Sequence, residues 1–195
     1  MILPLNQRPT IVALCGSNGA GKTTFYHAYL QPAGFRLINA DVLKAELGMD
    51  AYDAAKLAEL LRRRLLADGQ SFVFETVFSD PVGDKLAFLQ EAVNAGYRVV
   101  VCFIRIASPE TSDQRVSMRV SQGGHDVAPD KLLTRFPRTL ANLKAAIHTL
   151  PSVLVFDNED LSHPFQRVAV FENGKPIYLA KPSPRWLVRL ITQKK

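Results

Sequence analysis

The segment Gly16–Thr23 constrains this chain more than any other feature, because it fits the pattern G-x-x-x-x-G-K-[ST] in full. An apolar run typical of a buried strand, Thr10–Cys15, precedes it, and a predicted helix over Gly21–Leu30 follows it. Glycines allow backbone N–H groups to turn inward around phosphate oxygens, and the helix N-terminus adds positive potential there. The segment therefore predicts a nucleotide-phosphate site. The alternative, a chance glycine-rich turn, is disfavoured by the strand before it and the helix after it.

Two side chains of this segment have specific expected roles. Lys22 should reach the β- and γ-phosphates of ATP, and Thr23 should bind Mg²⁺ through its hydroxyl. ATP and Mg²⁺ are therefore the expected cofactors. The predicted cofactor-binding residues are Gly16, Ser17, Asn18, Gly19, Ala20, Gly21, Lys22, Thr23 and Thr24.

Strand and helix patterns alternate through the first 157 residues, which is typical of a parallel sheet with helices on both faces. Asn173-Gly174 lies between two apolar runs and predicts a C-terminal β-hairpin. We expect the α/β fold of P-loop NTPases, in a single domain over residues 1–195. The other predicted strands are Phe35–Ala40, Phe72–Val77, Tyr97–Ile106 and Val153–Phe156, and the other predicted helices are Ala51–Ala67, Pro81–Ala95, Pro109–Gln122, Asp130–Leu150 (kinked near Pro137) and Pro184–Thr192.

Charge and composition narrow the class of protein. The net charge of +6 favours anionic partners, which include nucleic acid but equally ATP and a phosphorylated small substrate. No apolar run approaches the ~20 residues that span a bilayer, and the N-terminus lacks the pattern of a signal peptide. The two cysteines, Cys15 and Cys102, lie in apolar runs and suit a reducing compartment. We therefore expect a cytoplasmic protein with no membrane partner.

Several polar residues follow the predicted strands, where ligands bind in open parallel sheets. Asp41 could accept the proton of an acceptor hydroxyl, or could cap a helix over Val42–Leu47. Glu75 and Thr76 could contact the substrate, and Glu75 could instead orient Mg²⁺ or serve only as a structural carboxylate. The pair Asp157-Asn158 could border adenine, assist Mg²⁺ or form a simple turn.

Arginines cluster on both sides of a break at Gly123–Pro129. Arg115 and Arg119 are four residues apart on one predicted helix, and Arg135 and Arg138 lie on the next. A basic helix–loop–helix over about 115–138 is suited to a mobile lid on the triphosphate, with Arg119 and Arg135 as catalytic residues. A solvated helix face with scattered arginines is the alternative. His125 could touch phosphate or be local loop structure, whereas the run Arg62–Arg64 is expected to be solvated surface.

Together these features resemble the zeta-toxin family of P-loop kinases. The resemblance covers most of the chain, and the glycine-glycine-histidine centre of the lid is its more specific part. It rests on Gly16–Thr23, Asn39-Ala40-Asp41, Phe74-Glu75-Thr76, Arg115–Asn142 and the hairpin at Asn173-Gly174.

The family's characterised members phosphorylate a sugar hydroxyl of UDP-N-acetylglucosamine. By that resemblance Lys22 and Thr23 hold ATP and Mg²⁺, Asp41 activates the acceptor, Glu75 and Thr76 face it, and Arg119 and Arg135 clamp the phosphates. The resemblance also implies an antitoxin as a protein partner.

This chain departs from the toxins in being shorter and in reading Val77-Phe78-Ser79-Asp80 after the Glu75-Thr76 pair. The identity of the small-molecule acceptor therefore stays open at this point. A nucleic-acid end kinase is one alternative, but it would need a basic groove with interleaved stacking aromatics, and no such stretch is present. An ATP-driven switch is another. It would usually take its arginine finger from a partner, whereas this chain carries lid arginines of its own.

Overall fold

The computed structural model describes residues 9–121 and 128–192. The strands are β1 Thr10–Cys15, β2 Leu37–Ile38, β3 Phe72–Thr76, β4 Arg98–Arg105, β5 Ser152–Asp157, β6 Gln166–Glu172 and β7 Lys175–Leu179. The helices are α1 Lys22–Phe25, which continues as a π-helical turn over Tyr26–Leu30, α2 Ala40–Leu47, α3 Ala51–Ala67, α4 Asp84–Asn94, α5 Pro109–Val120, α6 Pro129–Thr149 and α7 Arg185–Thr192.

These strands form one sheet in the order β2-β3-β1-β4-β5-β6-β7. The first five strands are parallel, and β6 and β7 extend the sheet as an antiparallel hairpin. Asn173 and Gly174 both have positive φ, at 49° and 79°, as a tight two-residue hairpin turn requires. The expected α/β architecture and its C-terminal hairpin are confirmed.

Alternate residues of the central strands belong to two separate cores, one on each face of the sheet. Ile11, Ala13 and Cys15 of β1 pack in one core with residues of α3, α4, α6 and α7. Val12 and Leu14 pack in the other core with the α1 helix and its π-helical turn. Because both faces are covered, the carboxyl ends of the central strands are left as the place where polar side chains can meet a ligand.

Some details of the helices and strands correct the sequence expectations, and one agrees with them. Strand β2 is only Leu37–Ile38, because Asn39 already begins the capping of α2. Pro137 lies inside α6, as predicted. The expectation that Arg62 is solvated is wrong: its side chain is buried and lies over the ring of Phe74 at 5.2 Å. Burial lowers the pKa of Arg62.

Both thiols are free and fully buried in the sheet. Burial raises the pKa of Cys102 to about 12 and also raises that of Cys15. These residues therefore act as packing groups, as expected. Among the described helices, none combines the length and the apolar character that a membrane span needs.

Candidate active site

A cavity of about 330 Å³ opens at the carboxyl ends of β1 and β3. It brings most of the predicted site together, because residues of the Gly16–Thr23 loop and the acidic residues Asp41 and Glu75 line the same cavity. The lining residues are Asn18, Gly19, Gly21, Lys22, Thr23, Thr24, Asn39, Ala40, Asp41, Glu75, Thr76, Val77 and Arg115.

The glycines of the loop between β1 and α1 are required by close backbone contacts. A Cβ on Gly16, whose φ is +146°, would clash with the carbonyl oxygen of Ile104. A Cβ on Gly21, whose φ is +89°, would lie 2.7 Å from the side-chain nitrogen of Asn158. Gly21 is also the N-cap of α1, so its bare backbone adjoins the positive end of that helix. The loop is thus a cradle of backbone that side chains do not obstruct.

Lys22 is buried and its ammonium group is held inside this cradle. Its Nζ donates hydrogen bonds to the carbonyl oxygens of Gly16, at 2.9 Å, and Ser17, at 3.0 Å. It also lies 3.7 Å from Oε1 of Glu75. A cation fixed at the base of a glycine cradle is placed to meet phosphate oxygens that enter the cavity.

Thr23 is linked to the same carboxylate. Its Oγ1 donates a hydrogen bond of 2.9 Å to Oε2 of Glu75, which leaves the lone pairs of the hydroxyl free to ligate a cation. The hydroxyl oxygen of Thr23 fits Mg²⁺, which prefers oxygen ligands. Phosphate oxygens and water usually fill the rest of the coordination shell of this ion. Within residues 9–121 and 128–192, no group of three or more His, Cys, Asp or Glu side chains is arranged to hold a metal ion.

Asp41 lines the same cavity from the first turn of α2, and its side chain is exposed. The alternative that it caps this helix is wrong. The N-cap is Asn39, whose Oδ1 accepts a hydrogen bond of 2.8 Å from the backbone N–H of Asp41. The Asp41 carboxylate is therefore not needed as the cap and faces the same space as Thr76 and Lys22.

The segment after β5 supports the cradle from behind. The buried side chain of Asn158 donates to the carbonyl oxygen of Ala20 at 2.9 Å and accepts from the N–H of Phe165 at 3.2 Å. Asp157 instead pairs with Arg105, whose Nη1 lies 3.3 Å from it, and does not line the cavity. Arg105 also lies over the ring of Trp186 at 4.5 Å. The structure thus gives the two residues of the Asp157-Asn158 pair different roles.

Helix α5 packs directly against the cradle. Oγ of Ser112 donates to the carbonyl oxygen of Asn18 at 2.7 Å. Arg115 lines the cavity, and its guanidinium donates to the carbonyl oxygens of Asn158, at 2.9 Å, and Glu159, at 3.0 Å. Arg115 therefore joins the start of the predicted lid to the segment after β5.

The other predicted lid arginines lie on two helices. Arg119 is in α5, and Arg135 and Arg138 are in α6. Arg135 and Arg138 line a second cavity of about 400 Å³, which shares Thr76 and Val77 with the first. Residues 122–127, which include His125 and most of the predicted break at Gly123–Pro129, lie outside the described residues.

The family model for "Zeta toxin" matches residues 3–168. The chain belongs to the zeta-toxin family. No protein of curated function matches its sequence significantly.

Solved structures share the fold of this zeta-toxin family member at low sequence identity. The PezAT toxin–antitoxin system of Streptococcus pneumoniae contains a chain 18% identical, with a TM-score of 0.61, over 95% of this chain and 78% of that one. The AvrRxo1-ORF1:ORF2 structure with ATP matches at 20% identity and a TM-score of 0.60, over 96% of this chain and 64% of that one. This chain thus spans less than two thirds of the AvrRxo1 chain. A chain of the Pnkp1/Rnl/Hen1 RNA repair complex matches at 15% identity and a TM-score of 0.56, over 74% of this chain and 49% of that one.

Some features of this zeta-toxin family site were not foreseen from sequence. The role of Asn39 as both helix cap and partner of Glu75 was missed, because the helix was predicted to begin at Val42 with Asp41 as its cap, whereas α2 begins at Ala40 directly after Asn39. The contact of Ser112 with the cradle depends on where α5 packs, for which a single sequence holds no local signal.

Proposed function

We propose that this chain transfers the γ-phosphate of ATP, in the presence of Mg²⁺, to a hydroxyl group of a small acceptor. The observation that carries the proposal is the set of groups around one cavity: a bare glycine cradle, the Lys22 ammonium held by that cradle, and Asp41 in the same lining. Positioning and charge stabilisation supply most of the catalysis in phosphoryl transfer, so this arrangement contains the parts that the reaction needs. Membership of the zeta-toxin family supports the same reading.

Bound ATP and Mg²⁺ would supply the phosphoryl group and neutralise part of its charge. Lys22 would move its ammonium from the carbonyl oxygens of the loop onto the β- and γ-phosphates. Thr23 would ligate the metal through its hydroxyl oxygen, while its O–H continues to donate a hydrogen bond to Glu75. Arg119 and Arg135 would stabilise the charge that develops during transfer.

Asp41 would accept the proton of the acceptor hydroxyl. The acceptor oxygen forms a bond to the γ-phosphorus, the bond from that phosphorus to the β–γ bridging oxygen breaks, and ADP leaves. The proton ends on the Asp41 carboxylate, so the step balances in atoms and in total charge. Thr76 and Glu75 line the same cavity and would contact the acceptor next to this carboxylate.

The second cavity supports an acceptor of the UDP-N-acetyl sugar type. It adjoins the first at Thr76 and Val77, and three of its lining residues are cationic: Lys85, Arg135 and Arg138. Of these, Lys85 and Arg138 would bind the diphosphate of a nucleotide sugar whose sugar hydroxyl points at Asp41, and Arg135 would keep its role on the transferred phosphate. Asp80 is the single acid among the described residues that line this cavity, so the cationic residues there are in excess.

An antitoxin partner is proposed from the family alone. PezAT is a toxin–antitoxin system, and this chain shares its fold. A protein that covers the cavity opening would silence the kinase by excluding ATP or the acceptor.

Turnover of radiolabelled ATP with separate acceptors tests the proposal. UDP-N-acetylglucosamine should become phosphorylated, and short 5′-hydroxyl oligonucleotides should not. Lys22→Ala is the control for contaminating kinases. If label is transferred to the oligonucleotide and none to the UDP-sugar, the acceptor is a nucleic-acid end and not the proposed sugar. The RNA repair neighbour makes this the second acceptor class to test. If none of the acceptors stimulates ADP formation, the proposed transfer to a hydroxyl is wrong, and the chain is better explained as an ATP-driven switch.

A further inference from the structure

One carboxylate connects the two sides of the active-site cavity. Oε2 of Glu75 accepts hydrogen bonds from Thr23 Oγ1 and from Asn39 Nδ2, each at 2.9 Å. Its other oxygen lies 3.7 Å from Nζ of Lys22. The carboxylate is therefore shared by the nucleotide side, through Thr23 and Lys22, and by the start of α2, through Asn39.

Asn39 uses both ends of its amide. Nδ2 donates to Glu75, and Oδ1 accepts from the backbone N–H of Asp41 at 2.8 Å. The side chain is 9% exposed, so water can replace neither bond readily. A helix cap needs only the acceptor, and Ser or Asp would provide that equally well. The donor directed at Glu75 has no purpose in capping.

We propose that Asn39 is a positioning residue. Its side chain ties Glu75, which holds the Thr23 hydroxyl, to the first turn of α2, which carries Asp41, so that the three groups keep fixed positions. This inference rests on the proposed function, in which Thr23 meets the metal and Asp41 accepts the acceptor proton. Without the Asn39 donor, Glu75 is free to turn toward Lys22, which already lies 3.7 Å away. Thr23 then loses the acceptor that fixes its hydroxyl, and the lone pairs of that hydroxyl no longer point at a defined place in the cavity.

Asn39→Ser separates this role from capping. Serine is a good N-cap, is uncharged, and is too short to reach Glu75, so it removes the donor and keeps the cap. Asp50→Ala is the matched control, because Asp50 caps α3 by accepting from the N–H groups of Tyr52 and Asp53 and does not line the cavity. Thermal melting of each variant reports the structural effect on its own.

Two readouts test the proposal: binding of a non-hydrolysable ATP analogue with Mg²⁺ or with EDTA, and kcat against KM for ATP. In Asn39→Ser the Mg²⁺ concentration for half-maximal binding should rise, and kcat should fall, on the order of 10-fold to 100-fold, as for other residues that orient metal ligands. Binding in EDTA and the KM for ATP at saturating Mg²⁺ should change little. Asp50→Ala should lower the melting temperature and leave all four values near those of the wild type.

Each outcome decides a different point. If Asn39→Ser keeps the wild-type Mg²⁺ dependence and kcat, Asn39 is only a helix cap and the inference is wrong while the proposed function stands. If Asn39→Ser and Asp50→Ala lose activity only in proportion to their stability, the same conclusion follows. If the wild-type protein binds the analogue with no effect of Mg²⁺, or if Lys22→Ala binds it equally well, the proposed function fails first and the inference falls with it.

Discussion

Gly21 lies where the cradle contacts the segment after β5. The geometry there sets how much Gly21→Ala should lower the free energy of unfolding. The backbone there is left-handed, with φ of +89°, and the new Cβ would lie 2.7 Å from Nδ2 of Asn158. Asn158 cannot yield easily, because that nitrogen donates to Ala20 and its oxygen accepts from Phe165. Carbon atoms of the Phe165 ring lie 3.3 and 3.4 Å from the same Cβ.

Gly96→Ala is a matched control for the backbone part of this cost. Its φ of +86° is nearly the same, and no atom lies within 4 Å of the added Cβ. A left-handed alanine costs roughly 1–2 kcal/mol, and the reduced freedom of the unfolded chain returns part of this. We expect Gly96→Ala to lower the free energy of unfolding by about 1 kcal/mol.

Gly21→Ala should cost more than this control. Displacing the Asn158 amide leaves a buried donor and the Ala20 carbonyl unpaired, which adds about 1–3 kcal/mol. The total should be about 2–4 kcal/mol, measured by urea unfolding at constant m-value. In an Asn158→Ala background, the cost of Gly21→Ala should fall toward that of the control, with the contacts to the Phe165 ring as the remainder. Equal costs for Gly21→Ala in both backgrounds would refute the contact with Asn158 as the source of the penalty.

Four further outcomes follow from the site and the core. Lys22→Ala should abolish phosphotransfer with the circular dichroism spectrum unchanged; a near-normal rate would remove the ATP site. Asp41→Asn should lower kcat by ~10²–10⁴ with little change in ATP affinity, and a wild-type rate would exclude a base role. Arg119→Ala and Arg135→Ala should each lower kcat by ~10³ more than they weaken ATP binding, with a double mutant short of additivity; additive losses would mean that they act separately. Because burial holds the pKa of Cys102 at about 12, against 9.0 ordinarily, the unfolded chain releases this proton first, and the free energy of unfolding should fall as pH rises from about 9 to 12. Urea midpoints of wild type and Cys102→Ala across that range measure this loss, and equal slopes would contradict it.

Local patterns were sufficient for most of the architecture. Helix α3 has the predicted bounds, Ala51–Ala67, because its cap, Asp50, and its terminating Asp68-Gly69 are all local signals. The loop motif placed the cradle between β1 and α1, since the positive φ and close backbone contacts at Gly16 and Gly21 require glycine at these motif positions. The hairpin followed from Asn173-Gly174, because these two residues readily adopt the positive φ of a tight turn.

The parts that sequence missed depend on tertiary packing. Arg62 reads as one of three surface arginines, yet the helix phase directs it onto Phe74 while its neighbours Arg63 and Arg64 pair with acids at the surface. Strand β2 ends early because Asn39 already caps α2, and the amide of Asn39 is also engaged by Glu75, a partner 36 residues away in the chain. The catalytic assignments of Asp41, Arg119 and Arg135 stay predictions that the kinetic measurements above decide.

The two edges of the sheet have a consequence for how the protein behaves at high concentration. An edge strand offers unpaired N–H and C=O groups to any neighbouring chain, and long flat edges promote aggregation. Here one edge strand, β2, has two residues, and the other, β7, carries Pro176 where the ladder with β6 shifts register. A proline has no N–H to offer to an incoming strand, and Lys175 beside it adds charge. Neither edge is therefore a good template for strand addition, and we expect the folded protein to remain free of edge-to-edge association.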